Sequence, residues 1–306
     1  MSRPKHQHWV PQFYLRQFAT PETRETKESQ VWVFSKNEAD GDECLTNVRN
    51  VCGKRYLYTP TNAAGERVWE LETELNQVET LMSAVWPALA NDFVDTGDPA
   101  IREGLSLFVA IMHVRNPEVR HFIESLHARL VTTYEKAPVR SDGCPDVKSF
   151  EVAGVTYEFD PTGWHEYRTW GKNDHDHFFA HVVKSEAGRI ANLLLKKRWS
   201  VVFSEVDVFI TSDKPVILEH PSQQTFGFAT PSSIVMFPLS PKRLLVLDDM
   251  HSEPANQYYA LQASAAASFN RAIWRNSSRF MITGRPIFKV FSELSSLGEA
   301  GEHEDA

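Results

Sequence analysis

At 306 residues the chain is long enough for one large domain or two smaller ones, with a core that needs no staples. Hydrophobic residues make up 42% and aromatic residues 11%, the profile of a globular protein and neither a disordered nor a fibrous one. A net charge of −8 with a pI near 5.9 disfavours loose binding to polyanions, so any contact with nucleic acid needs a local basic patch.

The opening HQHWVPQFYLRQF, His6 to Phe18, carries too much apolar surface to stay loose at a terminus and is expected to insert into the core. His8, Gln12 and Arg16 recur at four-residue spacing, which puts their polar ends on one face if the part after Pro11 is helical. Thr20 to Gln30 reads as a solvated loop. Val31 to Ser35 reads as a strand ended by the Asp40-Gly41 turn signal, and Arg55 to Tyr58 as a second strand closed by Pro60.

From Glu66 to Asn91 apolar residues follow three- and four-residue steps, predicting a helix with Glu72 and Glu79 two turns apart beside the apolar stripe. Pro99 to Tyr134 is a second helical region entered through Asp98. Arg115 and Asn116 end its most apolar stretch, and Pro117 marks a kink or break. A charge delivered at the buried end of a core helix needs a partner.

Lys136 to Pro145 is a turn-rich connector, Phe150 to Phe159 a hairpin or strand, and Asn173 to Arg198 a third helix. Beyond Trp199 short apolar runs (WSVVFSE, VFIT, PVILEH, SIVMFPL, RLLVLDD) alternate with turns, as in an antiparallel sheet. A helix over Glu253 to Asn276 and strands at Phe280 to Thr283 and Ile287 to Phe291 complete the expectation. The fold class expected is α+β, a helical bundle packed against a mainly antiparallel β-sheet. It occupies one domain over residues 1–291, or two lobes divided near 136–148, with 292–306 a disordered acidic tail.

Three cysteines, Cys44, Cys52 and Cys144, form no C-x-x-C pair, which argues against a disulfide framework or a cysteine-rich zinc module. MSRPKHQH lacks the apolar core of a secretion signal, and no run approaches the roughly 18 residues that span a bilayer. A cytoplasmic protein without a membrane partner is the expectation.

Read together, HQHWVPQFYLRQF, VWVFSK, NVRNVCGKRYLYT, the Glu72 to Glu79 helix, RNPEVR, ITSDKPV and MFPLSP resemble a family known as domain-of-unknown-function family 4238. These pieces span nearly the whole chain in the family's order. The family's opening has two adjacent histidines followed by tyrosine. Here Gln7 separates His6 from His8 and Trp9 takes the aromatic place, so His8 is the histidine carried over. The resemblance implies that these positions belong together and brings no activity with it.

His8, Glu72, Glu79 and Asp213 have the ligand types of a divalent metal site, oxygen-rich with one imidazole. With Arg115 as a catalytic cation they fit metal-assisted hydrolysis of a phosphoester, nucleotide or nucleic acid, of the kind found among bacterial defence or toxin proteins. Gln12, Arg16 and Ser212 would bind ligand beside them. Two other readings stand next to this one. In the first the set is a non-catalytic pocket for a small anion or nucleotide; in the second it is a buried ion-pair network joining Arg16 and Arg115 to Glu72 and Glu79.

The Ser212-Asp213-Pro215 turn either aims a carboxylate into a cleft or caps backbone amides. His175, His177 and His181 read as an incidental cluster, because Phe178 follows His177 where a metalloprotease helix needs its glutamate. Trp164, Tyr167 and Trp170, with Arg168 among them, offer either base stacking or packing, and packing is favoured. No G-x-S-x-G, P-loop or dinucleotide fingerprint occurs.

Overall fold

A computed structural model describes residues 5–36, 43–152, 155–262 and 265–301. The N-terminus is tied down at once: β1 (His6–His8) leads into the helix α1 (Gln12–Gln17), followed by strands β2 (Gln30–Ser35), β3 (Glu43–Asn47) and β4 (Gly53–Arg55). Strand β1 pairs antiparallel with β4, His8 opposite Gly53. A Cβ on Gly53 would meet the His6 ring at 2.2 Å, so a glycine is what lets the histidine lie across it. The strand expected at Arg55 to Tyr58 therefore lies earlier, and Tyr56, with φ 55°, turns the chain out of it. The Asp40-Gly41 turn lies outside the described residues.

The helical layer consists of α2 (Glu70–Asn91), α3 (Pro99–Val114) and α4 (Pro117–Tyr134), then the hairpin β5 (Ser149–Val152) and β6 (Val155–Glu158), a short α5 (Trp164–Tyr167), and α6 (Lys172–Lys196). Helices α3 and α4 are separate, and their sequences say why. Asp98 caps α3 by accepting from the amides of Ala100 and Ile101, with Pro99 at the first position. Asn116 accepts from the Glu118 amide and Pro117 opens α4, so the chain turns at Arg115 and Asn116. The most apolar helix, α3, packs along α6 in the middle of the layer.

Beyond α6 come β7 (Arg198–Phe203), β8 (Thr211–Ser212), β9 (Ile217–Glu219), β10 (Ile234–Ser240), β11 (Arg243–Asp248), β12 (Gln257–Ala260), α7 (Ala265–Asn276), β13 (Phe280–Thr283) and α8 (Ile287–Gly301). One sheet runs β12-β7-β11-β10-β9, antiparallel except for β12 beside β7. The other runs β3-β2-β13-β8 and is antiparallel throughout. The fold is α+β.

Two expectations are corrected here. The helix placed at Glu253 to Asn276 starts at Ala265, because Gln257–Ala260 pairs with β7 as an edge strand. Ile287 to Phe291, expected as a strand, opens α8, which continues to Gly301 into the stretch expected to be a disordered tail; residues 302–306 lie outside the described ones. The run Ile287, Val290, Phe291, Leu294 follows helical spacing and packs on the same cluster as Trp274 and Met281.

The main core sits between the helices and the five-stranded sheet, and the N-terminal segment is inside it. Tyr14 stacks on Phe237 at 5.3 Å, Trp86 and Phe108 close around them, and the Tyr14 hydroxyl pairs with Thr211 Oγ1 at 2.7 Å. A smaller cluster of its own forms at the C-terminal end of α4, where Tyr134, Cys144 and Trp164 hold the connector 136–145 and the β5–β6 hairpin. Among the described residues no helix is long and apolar enough to cross a membrane.

Candidate functional site

Inserting the N-terminus into the core brings β1 and α1 against the start of α2. A polar cavity of about 210 Å³ remains between them. Its walls come from Gln7 and His8 on β1, Gln12 and Phe13 on α1, and Glu72, Asn76 and Glu79 on α2, with His6 at the edge. Positions 72, 76 and 79 share one helix face, so three polar side chains of α2 reach the same space.

Glu72 is buried without a cation of its own. Its nearest polar partner is the Asn76 amide, at 3.3 Å from Oε1. Burial pushes its carboxyl up to about 7; the Asn76 hydrogen bond pulls down, Glu79 adds to the rise and Arg115 opposes it. Glu79, seven residues on, is differently placed. The fully buried Arg115 donates to its Oε1 at 2.7 Å, to the Trp9 carbonyl oxygen at 2.8 Å and to Met112 Sδ at 3.5 Å. Tyr58 donates its hydroxyl to the Arg115 carbonyl oxygen at 3.0 Å, which fixes the turn that delivers the guanidinium.

His8 Nε2 lies 3.0 Å from the Arg49 carbonyl oxygen, an acceptor only. The ring therefore carries its proton on Nε2 and keeps a lone pair on Nδ1 when neutral. Burial lowers its pKa, against the pull of that carbonyl. Gln7 is 2% exposed; its Oε1 accepts from the Tyr58 amide at 2.8 Å, while its Nε2 is buried and has no hydrogen-bond partner. A buried amide N–H left unpaired costs roughly 1–3 kcal/mol, so this donor is held at a penalty beside the cavity.

The remaining expected residues divide. Asp213 is close to this region through its backbone, whose carbonyl oxygen accepts from Trp9 Nε1 at 3.0 Å and Asn116 Nδ2 at 2.9 Å. Its carboxylate accepts from the backbone amides of Ser278 at 3.0 Å and Arg279 at 2.9 Å, so its side chain caps a loop and does not line the cavity. Burial raises the Asp213 carboxyl and those amides pull it back. Ser212 Oγ accepts from the Lys214 amide at 3.1 Å, completing the turn.

Arg16 is exposed and outside the cavity, because His8 belongs to β1 and the four-residue face breaks at Pro11. Of the expected ion-pair network, Arg115 with Glu79 is present. Among the described residues no group of three or more His, Cys, Asp or Glu side chains is placed to hold a metal ion. His8 and Glu72 remain as donors at the cavity, with Glu79 shared with Arg115.

The histidines of α6 do not converge. His177 Nε2 meets the Thr61 carbonyl oxygen, His181 is exposed, and His175 is buried against His127 at 4.8 Å. Trp164 is buried in the small cluster, as packing predicts. Gln7 and Asn76 are the site residues that sequence reasoning missed. Gln7 looked like an interruption of a histidine pair, and its signal was strand alternation: Gln7 points inward between the outward His6 and the half-buried His8. Asn76 lies four residues after Glu72 on the helix face already singled out.

No curated protein and no solved structure matches the chain. A model of the family described as a protein of unknown function (DUF4238) matches residues 6–286, nearly the whole length on which the cavity is built, and the chain belongs to that family.

Proposed function

We propose that the cavity between β1 and α2 is the active site of a hydrolase that works by proton transfer through Glu72. The observation that carries this reading is the pairing of two unlike carboxylates on one face of α2: Glu79 is tied to a buried arginine, and Glu72 lines the same space without a cation of its own. A carboxyl near neutrality is matched to taking a proton from water and returning it to a leaving group. Gln7 lines the same space, and its unpartnered, solvent-shielded Nε2 becomes a donor for the substrate oxygen on which negative charge grows once the side chain turns toward it. His8, its tautomer set by Arg49, offers a second basic nitrogen.

The substrate favoured by this charge distribution has a neutral carbonyl centre. A phosphoester, nucleotide or nucleic acid would bring anionic oxygens toward Glu72 and Glu79 while Arg115 is already engaged, so it requires a divalent ion held by His8 and Glu72. Free Cys44, Cys52 and Cys144 favour a cytoplasmic setting. A second reading, non-catalytic binding of a small polar molecule, draws on the same unpartnered Gln7 amide.

The experiment is hydrolysis of a carbonyl ester (p-nitrophenyl acetate) and a phosphodiester (bis-p-nitrophenyl phosphate), each in EDTA and with Mg²⁺, Mn²⁺ or Zn²⁺. Ester turnover in EDTA that rises with pH through about 7 and falls on the order of 10²–10⁴-fold in Glu72→Gln is the expected result. Ion-dependent turnover of the phosphodiester would restore the metal-assisted reading. Equal rates in the wild type and Glu72→Gln on both substrates would remove the enzyme altogether.

A further inference from the structure

A second cavity, about 560 Å³, opens where α4, the β5–β6 hairpin and the α5 segment meet. Aromatic rings are the largest class of side chain in its walls, Tyr134, Phe150, Phe159, Trp164, Tyr167 and Trp170 among them. The rings support one another, with Tyr134 and Phe159 centroids 5.2 Å apart, Trp164 and Tyr167 6.3 Å, and Tyr167 and Trp170 4.8 Å. Their positions are therefore set by packing before any ligand arrives.

The charged side chains that line this cavity are Glu158, Asp160 and Glu166, and among the described residues no lysine or arginine lines it. Asp160 is held by the Thr162 amide at 2.9 Å and hydroxyl at 2.6 Å, which keeps its carboxyl below the ordinary range. His127 adds no free donor through Nε2, which is engaged by the Tyr167 carbonyl oxygen at 2.8 Å. Aromatic faces carry negative potential, and three carboxylates add to it. An anion is repelled from such a space, so the nucleotide stacking that Trp164, Tyr167 and Trp170 suggested in the sequence is disfavoured by the phosphates. A cavity of this volume also exceeds what a bare metal ion or small ammonium fills.

We propose that this aromatic, acid-lined cavity binds an organic cation: an alkylated ammonium that carries an apolar or aryl body. The apolar body covers the rings, and the positive charge meets ring faces and carboxylates together. Nothing in the proposed hydrolytic site contributes to it, so the two stand or fall separately.

Calorimetric titration of the full chain with benzyltrimethylammonium and with benzylsulfonate, which share a ring and differ in charge, tests it. Saturable one-site binding of the cation, with the sulfonate weaker by about tenfold or more, is expected. Glu158→Gln with Glu166→Gln changes two exposed residues and should weaken the cation by about 2- to 5-fold per carboxylate without altering thermal unfolding. Trp170→Leu should weaken it by about 5-fold or more; should that variant misfold, the glutamine pair alone decides. Absence of saturable binding, equal binding of the sulfonate, or affinity unchanged in the glutamine pair would overturn the proposal.

Discussion

Arg198 and Arg115 are both buried arginines facing a carboxylate, and the difference between them separates a scaffold pair from one beside the proposed site. Arg198 on β7 stands in register with Asp248 on β11 and meets it through two bonds, Nε to Oδ1 at 2.8 Å and Nη2 to Oδ2 at 2.5 Å. Its Nη1 reaches the Pro254 carbonyl oxygen at 3.2 Å, and Asp248 also accepts from the Met250 amide. That pair closes on itself. Arg115 meets Glu79 through a single bond, spends its other donors on Trp9 and Met112, and leaves Glu72 uncompensated nearby. A fully satisfied buried pair rigidifies the fold around it, whereas a partly satisfied one leaves a group at a cost.

Breaking the closed pair should give the largest effect. Asp248→Asn leaves a buried guanidinium without its counter-charge, at a cost of about 3–5 kcal/mol read by chemical denaturation. Ester turnover per folded molecule should not change, since Asp248 does not line the β1–α2 cavity. A loss below about 1 kcal/mol would show that the sheet pair contributes no more than an exposed one.

The same comparison predicts an opposite sign at Glu72. A carboxyl raised to about 7 in the folded chain binds its proton more tightly than the unfolded chain does. Stability from this group is therefore fully present below its ordinary value near 4.5, declines as pH rises to about 7, and stays low above it. Glu72→Gln removes the penalty. The variant should be more stable than the wild type at pH 8, by on the order of 1–2 kcal/mol once solvent screening is allowed for, and nearly equal at pH 4. Denaturation midpoints at the two pH values check it. A variant destabilised equally at both would mean that Glu72 is a structural partner and not a strained acid.

Much of this was readable from residue order alone. The aromatic density of residues 6–18 announced burial, and Tyr14, Leu15 and Phe18 are fully buried. Asp98 and Pro99 marked the start of α3, and Pro117 marked the break, although residue order alone read α3 and α4 as one helical region and did not show Asn116 as a cap. Of the ion-pair network weighed as one alternative, the Arg115–Glu79 pair is present, whereas Arg16 is exposed and Glu72 has the Asn76 amide as its partner. What escaped was direction. Sequence shows that Asp213 sits in a turn between apolar strands but not which way its side chain faces, because that depends on the loop at Ser278 and Arg279, some 65 residues away. Register hides the edge strand at Gln257–Ala260 in the same way: its partner, β7, is more than 50 residues earlier.

Asp213 offers the smallest and most discriminating change. Its two oxygens accept from the amides of Ser278 and Arg279, whereas asparagine presents one oxygen and an NH2 that opposes the second amide. Asp213→Asn should cost about 1–2 kcal/mol through that lost charge-assisted bond. Ester turnover should stay within about twofold, because what Asp213 sends toward the cavity is a backbone carbonyl, held by Trp9 and Asn116, that the substitution leaves in place. Turnover lost in Asp213→Asn as deeply as in Glu72→Gln, with the fold intact, would mean that the carboxylate swings off its amides during reaction. The four-residue site suggested by sequence would then be the working one.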